Sequence, residues 1–389
     1  MLKYKTFVIF TLIVPVLLLC LMLSCTKTSN IEDRSTIIRL SPASDKQPMS
    51  KFIDSVKYIR LAAPRNISIG MIQSVVFFDE HYYVLHTPTM PSLTVFDING
   101  RFVRNIGKFG RGPGEYLFIN DFAINHDDKM VVLMDDNAQR MHYYTLEGDH
   151  IDSKVLPLSA ECIYYMDGSY VFWMANLYDR VLNADVKKRF NIFVLDRDYN
   201  TTHGFLEVSN EFMGVMHGSL PSSFSPYGGG VNVVAPLSND IYHYKDGSLF
   251  KKYYLDFGPL NCDFLSELRK DQGDKGTFVF RLRNTGATYY PNQFFEFKNY
   301  MFFTFLSDNK MYSVFYDKKN ETSHVSFEYP EDDIHDAIFG RAVGKTETSL
   351  ISVIEPLLLM DEEENFPAKL DFLNLTPNSR PVLTIYKMR

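Results

Sequence analysis

The stretch "NIGKFGRGPGEYLFINDFAIN", residues Asn105–Asn125, places four glycines and a proline within eight residues and continues as an apolar run. Glycine-rich loops of this kind occur in phosphate-binding sites and in turns between β-sheets. A Walker loop needs a lysine and then Ser or Thr after its glycines, but Glu115 and Tyr116 stand there. A dinucleotide fingerprint must open a helix, whereas the strand-like "FINDFAIN" follows. The stretch therefore predicts a turn from the outer strand of one sheet to the first strand of the next.

Short apolar runs recur along the whole chain between Gly, Asn and Asp clusters. Examples are "YYVLH", "MVVLM", "YVFWM", "VNVVA" and "MYSVFY", in a chain that contains 32 Phe and 24 Tyr. Short strands rich in β-branched and aromatic residues, with turn residues between them, are typical of a sandwich, barrel or propeller. Several runs are apolar at successive positions, which indicates that both faces are buried between stacked sheets. This pattern favours a propeller.

An internal repeat supports the same architecture. The segment that begins at Asp79 aligns without a gap with the segment that begins at Asp127, 48 residues later, including turns that end at Gly100 and Gly148. Weaker copies follow, to give about six units of four strands each. The final "PVLTIYKMR" is expected to pair beside an early strand and close the ring. The predicted fold is all-β, a six-bladed β-propeller of four-stranded antiparallel blades over residues 51–389.

The N-terminus has the layout of a bacterial lipoprotein signal. Lys3 and Lys5 precede an apolar run, and "MLSC" ends at Cys25. A basic start, an apolar core and a small residue before the cut are typical of a signal peptide, here residues 1–24. Cys25 is the predicted lipidation site, and residues 25–50 are the predicted lipid-anchored linker. The alternative is an uncleaved membrane anchor, since the run is close to the lower limit of about 17–25 residues for a span.

Charge and cysteine content exclude some classes of function. The formal net charge is −7, and it becomes −9 without the two lysines of the signal peptide, so no basic surface for nucleic acid is predicted. Cys162 and Cys262 remain as thiols a hundred residues apart, which is no disulfide framework. Two separate, partly buried thiols are expected, although pairing stays open.

The quoted residues also carry a resemblance. "VFDINGRFVRNIGKFGRGPGEY" with "INDFAIN", the later "SNDIYHY" and the terminal "PVLTIYK" resemble the six-bladed β-propeller lipoproteins of Bacteroidetes, relatives of the NHL-repeat propellers. The stretch Gly110–Tyr116 is the most specific part. The resemblance implies a propeller fold and a place in the cell envelope, expected at the outer membrane. It implies no catalytic residues.

A search for chemistry gives few candidates. No H-E-x-x-H, C-x-x-C or G-x-S-x-G motif is present, so no metal, cofactor or catalytic residue is predicted. "DDIHDAIF", from Asp332, has acids around a histidine but no complete ligand set, and a solvated turn is the simpler interpretation. The sequence favours a non-catalytic ligand-binding or protein-interaction module for a glycan, peptide or protein. The alternative is an envelope hydrolase or lyase with its site at the channel mouth.

Four residues are proposed as ligand-binding candidates. Asn120 and Asp121 lie at the start of "FINDFAIN", the best-defined inner strand, and inner strands line the channel of a propeller. In "FVFRLRNTG", Arg281 and Arg283 would point to the same side if the segment is a strand, because they are two residues apart. Polar groups that converge in a concavity are the default prediction for a binding site. The simpler interpretation of the arginines is that they pair with surface acids.

Overall fold

The computed structural model describes residues 27–28, 31–43, 45–87, 89–156, 158, 160–176, 189–215, 224–235, 237–359, 368–376 and 379–389. The predicted signal peptide and Cys25 lie outside the described residues. In chain order the described strands are β1 (Lys27–Thr28), β2 (Glu32–Arg39), β3 (Ile53–Arg60), β4 (Met71–Phe78), β5 (His81–Thr87), β6 (Ser92–Asp97), β7 (Phe102–Ile106), β8 (Asp121–Asn125), β9 (Met130–Asp135), β10 (Arg140–Thr145), β11 (His150–Val155), β12 (Cys162–Met166), β13 (Ser169–Trp173), β14 (Phe190–Asp196), β15 (Thr201–Glu207), β16 (Phe224–Tyr227), β17 (Gly230–Val234), β18 (Asp240–Lys245), β19 (Ser248–Asp256), β20 (Tyr289–Glu296), β21 (Tyr300–Ser307), β22 (Lys310–Asp317), β23 (Thr322–Phe327), β24 (Arg341–Lys345), β25 (Ser349–Ile354) and β26 (Val382–Met388).

Helices are few and short. The described α-helices are α1 (Phe264–Lys270), α2 (Phe278–Leu282) and α3 (Pro356–Leu359). Turns of 3-10 helix occur at Met49–Lys51, Gly258–Leu260, Lys275–Thr277, Arg283–Thr285 and Ala368–Leu373. Most of this helical structure lies between β19 and β20 or near the C-terminus. The fold is all-β, as predicted.

The described strands form sheets that follow the chain. Their orders are β11-β10-β9-β8, β1-β15-β14-β13-β12, β16-β17-β18-β19-β2, β20-β21-β22-β23 and β3-β26-β25-β24-β4-β5-β6-β7. Most neighbours pair antiparallel, and the parallel pairs are β1 with β15, β2 with β19 and β24 with β4. This succession of antiparallel four-strand units is propeller-like.

Apolar side chains fill the spaces between neighbouring sheets. On β9, Val132 packs in one buried cluster with Phe172 of β13, whereas its neighbour Leu133 packs in another with Val95 of β6. Successive side chains of a strand point to opposite faces, so β9 is buried on both. The prediction of strands with two buried faces is therefore confirmed.

The two chain ends meet in one sheet. β26 pairs antiparallel with β3, so that Val382 lies opposite Arg60 and Tyr386 opposite Val56. The predicted pairing of the terminal "PVLTIYKMR" with an early strand is confirmed. Because β24 also pairs with β4, this sheet joins the last repeat to the first and leaves no free edge between them.

The segment predicted as a linker, residues 25–50, contributes structure in its described part. β2 lies along the outer strand β19, and the Leu40 amide donates to the Asp256 carbonyl at 2.8 Å. The Met49 amide then donates to the Glu331 carbonyl at 2.9 Å, beyond β23. This segment therefore follows the outer edges of two sheets before it enters β3.

The glycine-rich loop connects β7 to β8, as predicted. The Glu115 side chain folds back into the loop, where one carboxylate oxygen accepts from the Gly112 amide at 2.7 Å and the other lies 2.8 Å from Nζ of Lys108. The Tyr144 hydroxyl donates to the Gly114 carbonyl at 2.9 Å and ties the loop to the next sheet. A carboxylate thus occupies the place that a phosphate would need, which supports the interpretation of this loop as a turn between two sheets.

Gly114→Val is expected to lower the free energy of unfolding by about 1–3 kcal/mol. Gly114 has φ of +69°, which β-branched residues avoid, and a Cβ there would lie 2.5 Å from Cγ of His150. Gly112→Val is the matched control, because a Cβ there would meet only the flexible end of Glu115, at 3.0 Å. Chemical denaturation of both variants tests this, and equal losses would contradict it.

Candidate functional site

The candidate site is a cavity where the first strands of successive four-strand units converge. Its volume is about 270 Å³, and residues of β4, β8, β12, β16, β20 and β24 line it. In the sheets that begin with β8, β12, β16 and β20, one edge of the first strand has no neighbour among the described strands. Backbone groups and alternate side chains of these strands are thus available to a ligand.

The cavity has mostly apolar walls and one notable acid. Phe122, Phe224 and Phe295 are among the lining side chains, together with Asp121 at the start of β8. One carboxylate oxygen of Asp121 accepts from the Ile163 amide at 2.9 Å. Burial raises the pKa of Asp121 to about 7, although the hydrogen bond from the Ile163 amide by itself lowers this pKa. Burial therefore favours the protonated form of Asp121 more than it would be favoured in an exposed carboxyl.

The cavity widens into a mouth at the ends of the same strands. This mouth has a volume of about 710 Å³ and shares Phe77, Tyr164 and Lys345 with the inner cavity. On one side it is bounded by Gly228 and Gly229, both with positive φ, in the two-residue turn between β16 and β17. Such a turn favours glycine at both positions, which also leaves open space beside the mouth.

Three lysines surround one tyrosine at this mouth. Nζ of Lys318 lies 4.3 Å from the ring centre of Tyr227, that of Lys252 at 4.4 Å and that of Lys345 at 5.8 Å. Lys318 also donates to the Tyr227 hydroxyl at 2.8 Å. Cation–π attraction stabilises each contact, but three like charges so close repel one another. We call these four residues the lysine–tyrosine cluster.

Glu296, the last residue of β20, is the carboxylate at the base of the lysine–tyrosine cluster. Its side chain is fully buried and lies 2.6 Å from Nζ of Lys252 and 2.7 Å from Nζ of Lys318. The Tyr253 hydroxyl at 2.7 Å and the side-chain NH2 group of Asn232 at 2.9 Å also donate to it. Burial alone would raise the pKa of Glu296, but the two ammonium groups hold it below its ordinary value.

The two predicted candidates on "FINDFAIN" take different positions in the structure. Asp121 begins β8 and lines the cavity. Asn120 precedes the strand, and its side-chain oxygen accepts from the Asp136 amide at 3.0 Å, so this group holds a turn. The structure therefore places Asp121 in the concavity and gives Asn120 a structural contact.

The strand predicted for "FVFRLRNTG" is wrong. Arg281 lies in α2 and Arg283 begins a turn of 3-10 helix. Arg281 pairs with Asp271, with Nε at 2.8 Å from a carboxylate oxygen, and the Arg283 guanidinium lies 5.4 Å from the ring centre of Phe280. Neither arginine lines the cavity or its mouth. Pairing with a surface acid, the simpler interpretation of Arg281, is what the structure shows.

Sequence reasoning did not find the lysine–tyrosine cluster. Tyr227, Glu296 and Lys345 are the last residues of β16, β20 and β24, so they occupy one position in three repeats. An alignment of the repeats by this position would have shown polar residues at the ends of β8, β16, β20 and β24, although β4 and β12 end in Phe78 and Met166. Lys252 and Lys318 have no such signal, because one lies within an outer strand and the other follows β22.

Other sequence-based expectations concern metals, thiols and membrane spans. Among the described residues no group of three His, Cys, Asp or Glu side chains could hold a metal ion. Asp332 instead closes a turn by accepting from the Ile334 and His335 amides, each at 3.0 Å. Cys162 is buried, Cys262 is partly buried, and no disulfide joins them. Within the part of the chain that is described, no helix has the length and apolarity to cross a membrane.

Comparisons with known proteins give similar solved structures and a family. A candidate exported protein from Bacteroides fragilis has a solved structure similar to this chain, with a TM-score of 0.74, 19% identity and coverage of 91% of this chain and 100% of that chain. A member of the DUF4221 family from Bacteroides vulgatus gives a TM-score of 0.48 at 8% identity, over 87% of this chain and 97% of its own. No curated protein matches the chain. The profile of a domain of unknown function, DUF4934, matches residues 35–387, and the chain therefore belongs to the DUF4934 family.

Proposed function

We propose that the protein is a six-bladed β-propeller, lipid-anchored in the cell envelope through Cys25, that binds a ligand at its channel without catalysis. The observation that carries the proposal is a single cavity lined by β4, β8, β12, β16, β20 and β24. The eight-stranded sheet can be divided at the parallel contact between β24 and β4. One half is then β4–β7, and the other is β24–β26 with β3 as its fourth strand. With this division, each of the six lining strands begins a four-strand unit. That division supports six blades around one channel.

The chemistry of the cavity supports binding more than catalysis. Glu296 already accepts hydrogen bonds from four donors, which occupy both oxygens and prevent it from acting as a general base. The walls are mainly aromatic and aliphatic with a few polar groups, as is usual in ligand sites. The ligand classes that fit the proposal are a glycan, a peptide or an exposed part of a partner protein.

An envelope hydrolase or lyase is the second candidate, and one observation favours it. A carboxyl with a pKa of about 7 in a concavity, such as Asp121, is suited to accept or donate a proton at neutral pH. Turnover that is lost in Asp121→Asn would support this candidate over pure binding.

The position of the N-terminal strand adds an orientation to the proposal. β1 starts at Lys27 and pairs with His203 and Gly204 of β15, an outer strand. Only one residue, Thr26, lies between Cys25 and Lys27 in the sequence, so the lipid would be attached within about 7 Å of that strand. The outer edge of this blade is therefore expected to face the membrane, at the outer membrane in the proposed location.

Cys25→Ala is expected to remove the protein from the membrane fraction while it stays folded, because the acyl chains supply the anchoring. The released protein can then be screened against glycan and peptide libraries, with detection of both binding and products. Saturable binding without turnover supports the proposal. A Cys25→Ala variant that remains in the membrane fraction would contradict the lipid anchor, and product formation would favour the enzyme.

A further inference from the structure

We propose that the channel mouth binds the oxyanion of an acidic saccharide, with Lys345 as the residue that contacts the anionic group. The inference rests on the proposed function, because it names the ligand class of the same channel. Lys345 is the last residue of β24 and borders both the inner cavity and the mouth. The carboxylate of a uronic acid or the sulfate of a sugar ester would supply the oxyanion.

Lys345 is held in place by neutral acceptors. Nζ donates to the Pro226 carbonyl at 2.9 Å and to the backbone carbonyl of Glu296. An ammonium group has three N–H donors, so within the described part of the chain one of them is left for a ligand. None of the described carboxylates lies within 4.0 Å of this Nζ. The charge of Lys345 is therefore oriented by the protein without being neutralised by a paired acid.

The other two lysines of the lysine–tyrosine cluster make a bound anion near Lys345 more favourable. Lys318 and Lys252 share the Tyr227 ring with it, and Glu296 is already paired with both of them. Burial, and to a smaller extent these two lysines, lower the pKa of Lys345 to about 8, while the charges of Glu296 and Glu347 oppose the change. A bound oxyanion would offset the repulsion, and hydrogen bonds between charged groups are about twice as strong as neutral ones.

The rest of the mouth matches the sugar that would carry the anion. Phe77, Tyr164 and Tyr227 present aromatic surface, to which the apolar face of a pyranose can pack. Asp167 and Glu347 are exposed carboxylates at the rim, able to accept hydrogen bonds from sugar hydroxyl groups. These acids would repel a ligand with several anionic groups, so the combination fits a polyhydroxylated molecule with one oxyanion directed at Lys345.

The test uses the full-length protein in detergent and three probes: glucuronate, glucose 6-sulfate and glucose. Isothermal titration is expected to show binding of one or both acidic probes, with glucose at least about tenfold weaker. Lys345→Met, which keeps the side-chain length without the charge, should weaken the acidic probe about tenfold or more and leave glucose unchanged. Lys310→Met is the matched control, because Lys310 is exposed at the β21–β22 turn and the charge change is the same.

The outcomes separate this inference from the proposed function. If the acidic probes bind no better than glucose, or if Lys345→Met and Lys310→Met behave alike, the oxyanion site is wrong. In that case, saturable binding of a neutral glycan or a peptide by the wild-type protein would still support the proposed function. If the acidic probes bind through Lys345 but a library glycan is converted to products, the oxyanion site stands and the proposed non-catalytic function fails. Circular dichroism of each variant checks that the fold is retained.

Discussion

Glu296→Gln is expected to lower the free energy of unfolding by about 3 kcal/mol, because it leaves two lysines facing a neutral amide. The side chains of Lys252 and Lys318 are only 18% and 21% exposed, so water replaces the lost partner poorly. The amide also presents N–H donors toward groups that themselves donate. This substitution keeps the shape of the side chain, so packing changes contribute little.

The effect of Glu296→Gln should depend on pH. The pKa of Glu296 lies below its ordinary value in the folded protein, so its contribution is present above the unfolded pKa and is lost as pH falls through the folded pKa. The difference between wild type and variant is therefore expected to shrink in acid. Urea denaturation at neutral pH and in acid measures it.

Glu328→Gln is the matched control. Glu328 pairs with Lys46 at 3.4 Å, but both side chains are about half exposed, and such pairs contribute about 0–1 kcal/mol. A loss for Glu296→Gln as small as that of the control would show that Glu296 is not the centre of a buried ionic cluster. A pH-independent loss would show that the charge of Glu296 is not what stabilises the cluster.

Repeat and turn signals made most of the fold predictable. The 48-residue offset is found again in the strands, since β6 begins at Ser92 and β10 at Arg140. The repeat turns also match, with φ of +79° at Gly100 and +94° at Gly148. These features are local or regularly spaced, so a single sequence contains them. The pairing of β26 with β3 was predictable because a strand-like segment stands near each end of the given sequence, and their pairing removes free sheet edges.

The helical insertion between β19 and β20 was not recognised. "FVFRLR" is rich in aromatic and β-branched residues, a composition typical of strands, yet it folds as α2. A signal was present upstream, where Asp263 accepts from the Ser266 amide at 3.0 Å and caps α1. A helix so close before the segment argues against a strand there. Tertiary packing of Phe278 and Leu282 with Phe264 then decides its conformation.

The lysine–tyrosine cluster could not be predicted from local sequence. Lys252, Lys318 and Lys345 come from three different units, and each alone reads as an ordinary surface lysine. Their proximity depends on how neighbouring sheets stack around the channel. Asp121 was found because it lies in a strand whose position in its unit was clear, whereas its raised pKa depends on the walls that other strands supply.

Asp121→Asn is expected to stabilise the protein above neutral pH and to change its pH dependence. Burial raises the pKa of Asp121 from 3.8 to about 7 on folding, so the folded state favours the protonated carboxyl. For an acid shifted in this direction, the stability contribution is full below the unfolded pKa and is lost as pH rises through the folded pKa. The wild type therefore loses stability between about pH 4 and pH 7 through this group.

For a carboxyl without contact to water, this pKa shift of Asp121 would change the free energy of unfolding by about 4 kcal/mol. Water in the channel screens the charge, and we expect about 2 kcal/mol to remain. Asparagine keeps an oxygen for the Ile163 amide but carries no charge, so the variant should lack this pH-dependent loss. Unfolding measured at pH 4 and pH 8 should show a variant that gains relative to wild type by about 2 kcal/mol between the two pH values. Asp79→Asn, at the exposed β4–β5 turn, is the control and should show no such gain. Parallel stability profiles for wild type and Asp121→Asn would mean that the carboxyl is fully hydrated, and the enzyme candidate would then lose the observation that favours it.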